Sequence, residues 1–134
     1  PETIQGCMKE FFRLHRVSRP DKRAFLTPHR ERFFLDVALD LAPRGQFKLN
    51  FLEIDGVRVA SSICFDYAGA YLLYNSGYDP SYSALSVGLL NKALFIKDAI
   101  KEGRHSFEFL RGDERYKYHL GGKDQAVYQL TARR

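Results

Sequence analysis

The densest group of chemically capable side chains is Arg111-Gly112-Asp113-Glu114-Arg115-Tyr116-Lys117, which follows a short alternating run at 105–110. Charged and phenolic groups just past a strand end lie where open sheets bind ligands. Arg111, Asp113 and Glu114 are therefore expected to contact substrate, and Lys117 to offer a point charge to a phosphate or carboxylate. The same charges also read as a local ion-pair network closing a loop, worth about 0–1 kcal/mol if exposed, and Lys117 as a solvated lysine. A second group is Ser83, Ser86, Val87 and Gly88. A helix starting near Ser86 leaves its first N–H groups without intrahelical partners, carrying about half a positive charge between them. That is a seat for a phosphate or pyrophosphate. Ser83 and Ser86 would add hydroxyl donors, and Gly88 would let a ligand approach the backbone. The plainer reading makes Ser86 an N-cap and Gly88 a tight packing contact.

Other chemistries find little support. His15, His29, His105 and His119 are scattered, without an H-x-x-x-H or C-x-x-C pair, so no metal site is expected. Cys7 and Cys64 read as reduced, structural thiols. The 134 residues, 45% hydrophobic and 28% charged, fit one globular domain. Eleven Phe and eight Tyr exclude a disordered chain. No apolar run approaches the roughly 18–20 residues that span a bilayer, and the first residues do not form a signal peptide. A cytoplasmic location is the expectation. The chain starts at Pro1 without an initiator Met, which suggests a processed or excised piece of something longer. The net charge of +5 is spread along the sequence, either as a basic surface or as a site for an anionic ligand. No strand alternates basic and aromatic residues as an RNA-recognition sheet would.

The elements that must position these groups are readable. Ile4, Cys7, Met8, Phe11, Phe12 and His15 recur at helical spacing and predict a helix over about 3–18, ended by Arg19-Pro20-Asp21. Thr27-Pro28 opens a second helix carrying Phe33, Phe34, Val37, Ala38 and Leu41, stopped by Pro43 and Gly45. Period-2 runs at 47–54 and 57–67 flank Asp55-Gly56, a strong hairpin turn. Ala68-Gly69 makes another turn into a strand at 71–78. From Ser86 a helix runs to a C-cap at Gly103, and a short strand follows at 105–110. Strand, helix, strand over 71–110 predicts a right-handed βαβ crossover with parallel strands. One or two helical turns at 114–119 and a last strand at 126–131 complete the reading. The fold class expected is α+β: two N-terminal helices on a mixed sheet, antiparallel strands, a βαβ crossover and a final strand.

This order of elements resembles the GNAT acyltransferase superfamily. Its acyl-CoA loop, R/Q-x-x-G-x-G/A, corresponds to Ser83-Ala84-Leu85-Ser86-Val87-Gly88, where only the last Gly matches. Two stretches resemble more closely the GNAT branch associated with cellulose biosynthesis, related to the Fem aminoacyl transferases of peptidoglycan. They are Tyr74-Asn75-Ser76-Gly77-Tyr78-Asp79-Pro80 with Leu85-Ser86-Val87-Gly88-Leu89-Leu90, and the run Phe107-Glu108-Phe109-Leu110-Arg111-Gly112-Asp113-Glu114-Arg115-Tyr116-Lys117. Proteins of that branch are longer, with a second GNAT-like half in front. The resemblance therefore implies that residues 1–134 form one domain, the C-terminal half of such a protein.

The resemblance implies transfer of an acetyl or other acyl group from acyl-CoA to an amine by direct attack. The protein must orient both reactants, accept the amine proton, stabilise the oxyanion and protonate the leaving thiolate. It implies pantetheine and oxyanion contacts along 72–77, with Tyr74, Asn75 and Ser76 as coenzyme contacts and the pyrophosphate at 83–88. Tyr116 and Tyr118 are implied candidates for the acid, and Glu108 and Asp66 for the base or a substrate contact. The acceptor would be a small-molecule, saccharide or peptide amine, and the domain would act as a homodimer or pair with a second GNAT-like half. Two alternatives stay open: a Fem-like transferase using charged tRNA, and a non-catalytic half-domain.

Overall fold

The computed structural model describes residues 2–112 and 114–133, apart from the side chains of residues 20 and 22. Three helices open the chain: α1 (Ile4–Ser18), α2 (Pro20–Phe25) and α3 (Pro28–Leu41). Thr3 and Thr27 cap α1 and α3 by accepting the N–H of Gly6 and of Arg30, which satisfies donors that a helix start leaves without partners. The break at Arg19-Pro20 ends α1 as expected, but Pro20 also opens the six-residue α2. Proline suits a first helical position because its missing N–H would have had no partner there.

The sheet follows: β1 (Phe47–Ile54), β2 (Val57–Tyr67), β3 (Ala70–Tyr78) and β4 (Ser106–Glu108), in spatial order β1-β2-β3-β4. The first three are antiparallel, and β4 lies parallel to β3. Asp55-Gly56 and Ala68-Gly69 all have positive φ, the twist that two-residue hairpins need. A turn at 80–85 leads into α4 (Val87–Lys101), the crossover helix, and α5 (Arg115–His119) follows β4.

Helices cover both faces of the sheet. On one, Met8, Phe11 and Phe12 of α1 and Phe34 and Ala38 of α3 pack with Phe47 and Ile63. On the other, Phe95 and Ala99 of α4 pack with Cys64, Tyr71 and Leu73. A buried polar cluster also anchors α4. Asn91 Nδ2 donates to Asn50 Oδ1 at 3.0 Å, and Ser62 Oγ donates to Asn91 Oδ1. Buried polar groups with satisfied partners fix one register where apolar contacts alone would allow sliding. Cys64 is fully buried, and burial pushes its thiol well above the ordinary range.

The expected last strand at 126–131 is absent. Residues 122–133 are outside helix and sheet, and Val127, Tyr128 and Leu130 are at least 89% exposed. A strand needs a ladder partner, and the nearby edge strand β4 offers only three residues.

Candidate functional site

The parallel ladder between β3 and β4 is short. Ala70, Tyr71 and Leu72 pair with Ser106, Phe107 and Glu108, and β4 then ends. At the same level β3 carries a bulge. Ile63 pairs with Asn75 and Cys64 with Leu73, so Tyr74 is an extra residue. Bulges bend a strand and interrupt its ladder. β4 ends at Glu108, so among the described residues β3 has no partner strand on that side from Leu73 onward. This opening lies toward the carboxyl ends of the two parallel strands, the side of an open sheet on which ligands bind.

The exposed edge of β3 is dressed by local groups. Ser76 N–H donates to Asn75 Oδ1 at 2.8 Å. Tyr78 N–H donates to Ser18 Oγ at 2.6 Å, and that oxygen also lies 3.1 Å from the Tyr78 carbonyl. Helix α1 reaches the strand because of Gly77, where a Cβ would stand 2.6 Å from the backbone N and Cα of His15. A contact this close requires glycine. Tyr74 packs against Phe34 and Phe65, ring centres 5.8 Å apart in each case, on the face away from α4. Its ring is thus a half-exposed packing element, which leaves only its backbone to the coenzyme contact expected along 72–77.

The start of α4 forms the floor. Ser86 has φ 50° and links the 80–85 turn to the helix. A non-glycine residue in the left-handed region is uncommon, and such residues gather at functional turns. Ser86 does not cap α4 with its side chain, so the N-cap reading fails, and the first helical amides have no side-chain cap. Ser83 and Ser86 are exposed. Val87 is 1% exposed and packs with Val59 and Ala60, so its side chain belongs to the core. Gly88 faces the Tyr78 ring, where a Cβ would meet Cδ1 at 3.1 Å. The packing-contact reading of Gly88 therefore has a physical basis.

The wall beyond β4 is the turn at 109–117. Leu110 has φ 61°, in the left-handed region like Asp55, Ala68 and Ser86. Lys117 is buried, and its ammonium donates to the carbonyls of Arg111 (2.8 Å) and Gly112 (3.2 Å) and to Glu114 Oε2 (2.7 Å). Its three protons hold the turn together, so the expectation of a phosphate- or carboxylate-binding point charge is corrected. Glu114 is held below its usual range first by the hydrogen bond from Lys117, with a smaller contribution from the Arg19 charge. Arg111 is exposed, and Asp113 lies outside the described residues.

Tyr116 is half-buried beside Phe109, and Lys92 Nζ sits over its ring at 4.5 Å. The same Nζ lies 3.4 Å from the Gly88 carbonyl. Lys92 thus connects the helix seat to the phenol, a link hidden in sequence because Lys92 looked like one of several solvated lysines on an amphipathic helix. Burial, and secondarily the Glu114 charge, raise the Tyr116 hydroxyl to about 12. Tyr118 is exposed and donates to Asp124 Oδ1 at 2.5 Å, directed away from α4. Glu108 is exposed and is the last paired residue of β4, at the level where the strands part. Asp66 receives two hydrogen bonds from Arg104, at 2.8 and 2.7 Å, and that pair holds its carboxyl below the usual range. A carboxylate so held is a poor proton acceptor, which corrects its candidacy as the base.

The end of the parallel β3–β4 ladder thus lies across the crossover from a helix start without a side-chain cap. The family model described as acetyltransferase (GNAT) domain matches residues 1–118. The chain belongs to the GNAT acetyltransferase family, the class of acyl-CoA-dependent N-acyltransferases. Solved structures share the fold at low identity. The aminoglycoside N-acetyltransferase AAC(6')-Iy in complex with CoA aligns with a TM-score of 0.67 at 14% identity, covering 97% of this chain and 90% of that one. The ribosomal-protein-S18-alanine N-acetyltransferase from Escherichia coli aligns at 0.62 and 17%, covering 90% and 70%. An aminoglycoside acetyltransferase from an uncultured soil metagenomic sample, in complex with sisomicin, aligns at 0.59 and 12%, covering 95% and 90%. No curated protein matches the sequence significantly. Among the described residues, no helix is long and apolar enough to cross a membrane.

Proposed function

We propose that this domain moves an acyl group, acetyl in the simplest case, from acyl-CoA to an amine, with the thioester arm in the opening beside β3 and the pyrophosphate at the start of α4. The observation that carries this is the coincidence of the three-residue β3–β4 ladder with an uncapped helix start across the crossover. Backbone amides at 87–89 meet the pyrophosphate, with the Ser83 and Ser86 hydroxyls beside them. The amide of Ser76 serves the pantetheine arm or the oxyanion once the Asn75 carboxamide swings off it. A neutral amine attacks the thioester carbon, and the oxyanion collapses with loss of thiolate. Tyr116 is the acid that protonates that thiolate, its phenol beside the Lys92 ammonium that also reaches the Gly88 carbonyl. Glu108, at the mouth, takes the amine proton. Arg111 and Glu114 border the acceptor. The run from Phe107 to Lys117 favours the branch associated with cellulose or exopolysaccharide biosynthesis, with a saccharide or peptide amine as acceptor. Action in the cytoplasm and pairing with a second GNAT-like half belong to the same reading.

Calorimetry with acetyl-CoA tests the coenzyme seat. Gly88→Glu places a carboxylate where the pyrophosphate would lie, and Gly88→Ala controls for the crowding of Tyr78. Saturable binding in the unmodified protein, retained within about threefold in Gly88→Ala and weakened at least tenfold in Gly88→Glu, is expected from repulsion between like charges. No binding in the unmodified protein would leave the non-catalytic half-domain as the better description.

A further inference from the structure

A feature left unexplained outside the coenzyme seat is a cleft of about 280 Å³ lined by Arg16, Val17, Ser18, Arg19, Arg23 and Pro80. Its three arginines come from the end of α1 and from α2. These are the helices on the sheet face opposite α4. Ser18 ties the cleft to the exposed edge of β3 through the Tyr78 N–H, and Pro80 begins the turn leading to α4. The cleft therefore opens at the same strand ends as the reaction site, but from the side away from the pyrophosphate seat.

Its charge is only partly balanced. Arg16 pairs with Glu31, and exposed Arg19 lies 3.5 Å from Asp21. Arg23 is exposed and has no hydrogen-bond or ion-pair partner among the described residues. Arginine forks match the planar or tetrahedral oxygens of carboxylate and phosphate, and hold such groups bidentately. A polycationic acceptor would be repelled from this side. The Arg19 charge also makes a small contribution to holding the Glu114 carboxyl below its usual range.

We propose that this arginine cleft binds an anionic group, phosphate or carboxylate, carried by the amine acceptor. The acceptor is then an amine bearing its own negative charge, held by its anion between α1 and α2 while its nitrogen reaches the thioester. The proposal rests on the acyl-CoA reading above. It also assigns a purpose to the basic residues clustered at 16–23.

The test uses O-phosphoethanolamine and ethanolamine, a matched pair of amines with and without phosphate, titrated by calorimetry into protein saturated with CoA so that the coenzyme seat is filled. O-phosphoethanolamine is expected to bind at least tenfold more tightly than ethanolamine, and Arg19→Gln/Arg23→Gln is expected to remove that preference. Both arginines are exposed, so the double variant keeps its fold, checked by an unchanged melting temperature. Acetyl-CoA affinity should stay within about twofold in the variant. Equal binding of the two amines overturns the proposal. So does a preference that survives the double substitution. A loss of acetyl-CoA affinity in the variant instead assigns the arginines to the coenzyme phosphates and overturns the acceptor assignment. Failure of the unmodified protein to bind acetyl-CoA at all is a separate result and counts against the acyl-CoA reading itself.

Discussion

Tyr116 is a phenol whose surroundings suit one direction of proton transfer. Burial raises it to about 12, so it stays protonated through the neutral and mildly alkaline range. A protonated phenol can serve as a donor and not as a base, although burial makes it a weaker donor than a free phenol. Tyr116→Phe is expected to lower kcat by about 10²-fold, the scale of losing a positioned acid. KM for acetyl-CoA and the melting temperature should change little, because the ring keeps its packing on Phe109 and its place under Lys92. Steady-state kinetics with a pH profile check this. Since the raised value lies near 12, no loss of turnover between pH 7 and 10 should trace to Tyr116; an alkaline limb there that vanishes in the variant would mean the phenol ionises where this environment forbids it. Tyr118, tied to Asp124 at the surface, serves as the comparison: Tyr118→Phe is expected to leave kcat within about twofold.

The turn at 109–117 and the bulged strand β3 are the elements that make an opening out of an ordinary sheet. The turn depends on one buried ammonium. Lys117→Ala strips the Arg111 and Gly112 carbonyls of a charged donor and leaves Glu114 without its nearest cation. Hydrogen bonds to charged groups contribute about 1.5–3 kcal/mol each, so a loss of about 2 kcal/mol in denaturant unfolding is expected. Turnover should fall with the loss of the turn, and stability must fall with it. Unchanged stability would return Lys117 to the role of a binding charge. The sign with pH is set by Glu114. Its folded value is lowered, so its contribution is present above the ordinary carboxylate range and fades as the pH falls through that lowered value. Strand β3 depends on Gly77, whose missing side chain lets α1 lie against it, and carries at Tyr74 an extra residue that interrupts its ladder with β2 just beyond the last β4 pair.

Across the whole molecule, the ordered core ends with α5. Residues after Asp124 carry Val127, Tyr128 and Leu130 almost fully exposed, so they add no burial to the domain. Ending the chain after Asp124 is expected to leave the melting temperature within about 2 °C. A loss of 1 kcal/mol would move a domain of this size by roughly 3–6 °C. Differential scanning calorimetry on the shortened chain checks this, and a drop beyond that range would show that the segment packs on the domain.

What the sequence determined by itself is local. The 3.6 and 2.0 periodicities, Thr27-Pro28, Asp55-Gly56 and Gly103 placed α1, α3, β1, β2, β3 and α4 because each signal acts within a few residues along the chain. The βαβ order implied a parallel pair, and β3 and β4 form one. What only the tertiary structure decided depends on partners distant in sequence. The strand pattern at 126–131 met no ladder. Asp66 met Arg104 and became an ion pair. Lys117 turned inward to carbonyls, and Lys92 linked Gly88 to Tyr116. The convergence of Arg16, Arg19 and Arg23 on Pro80 likewise exists only after folding. A side chain's chemistry is fixed by its type, but its charge state and use follow from which groups the fold brings within a few ångströms, where electrostatic and hydrogen-bond energies become decisive.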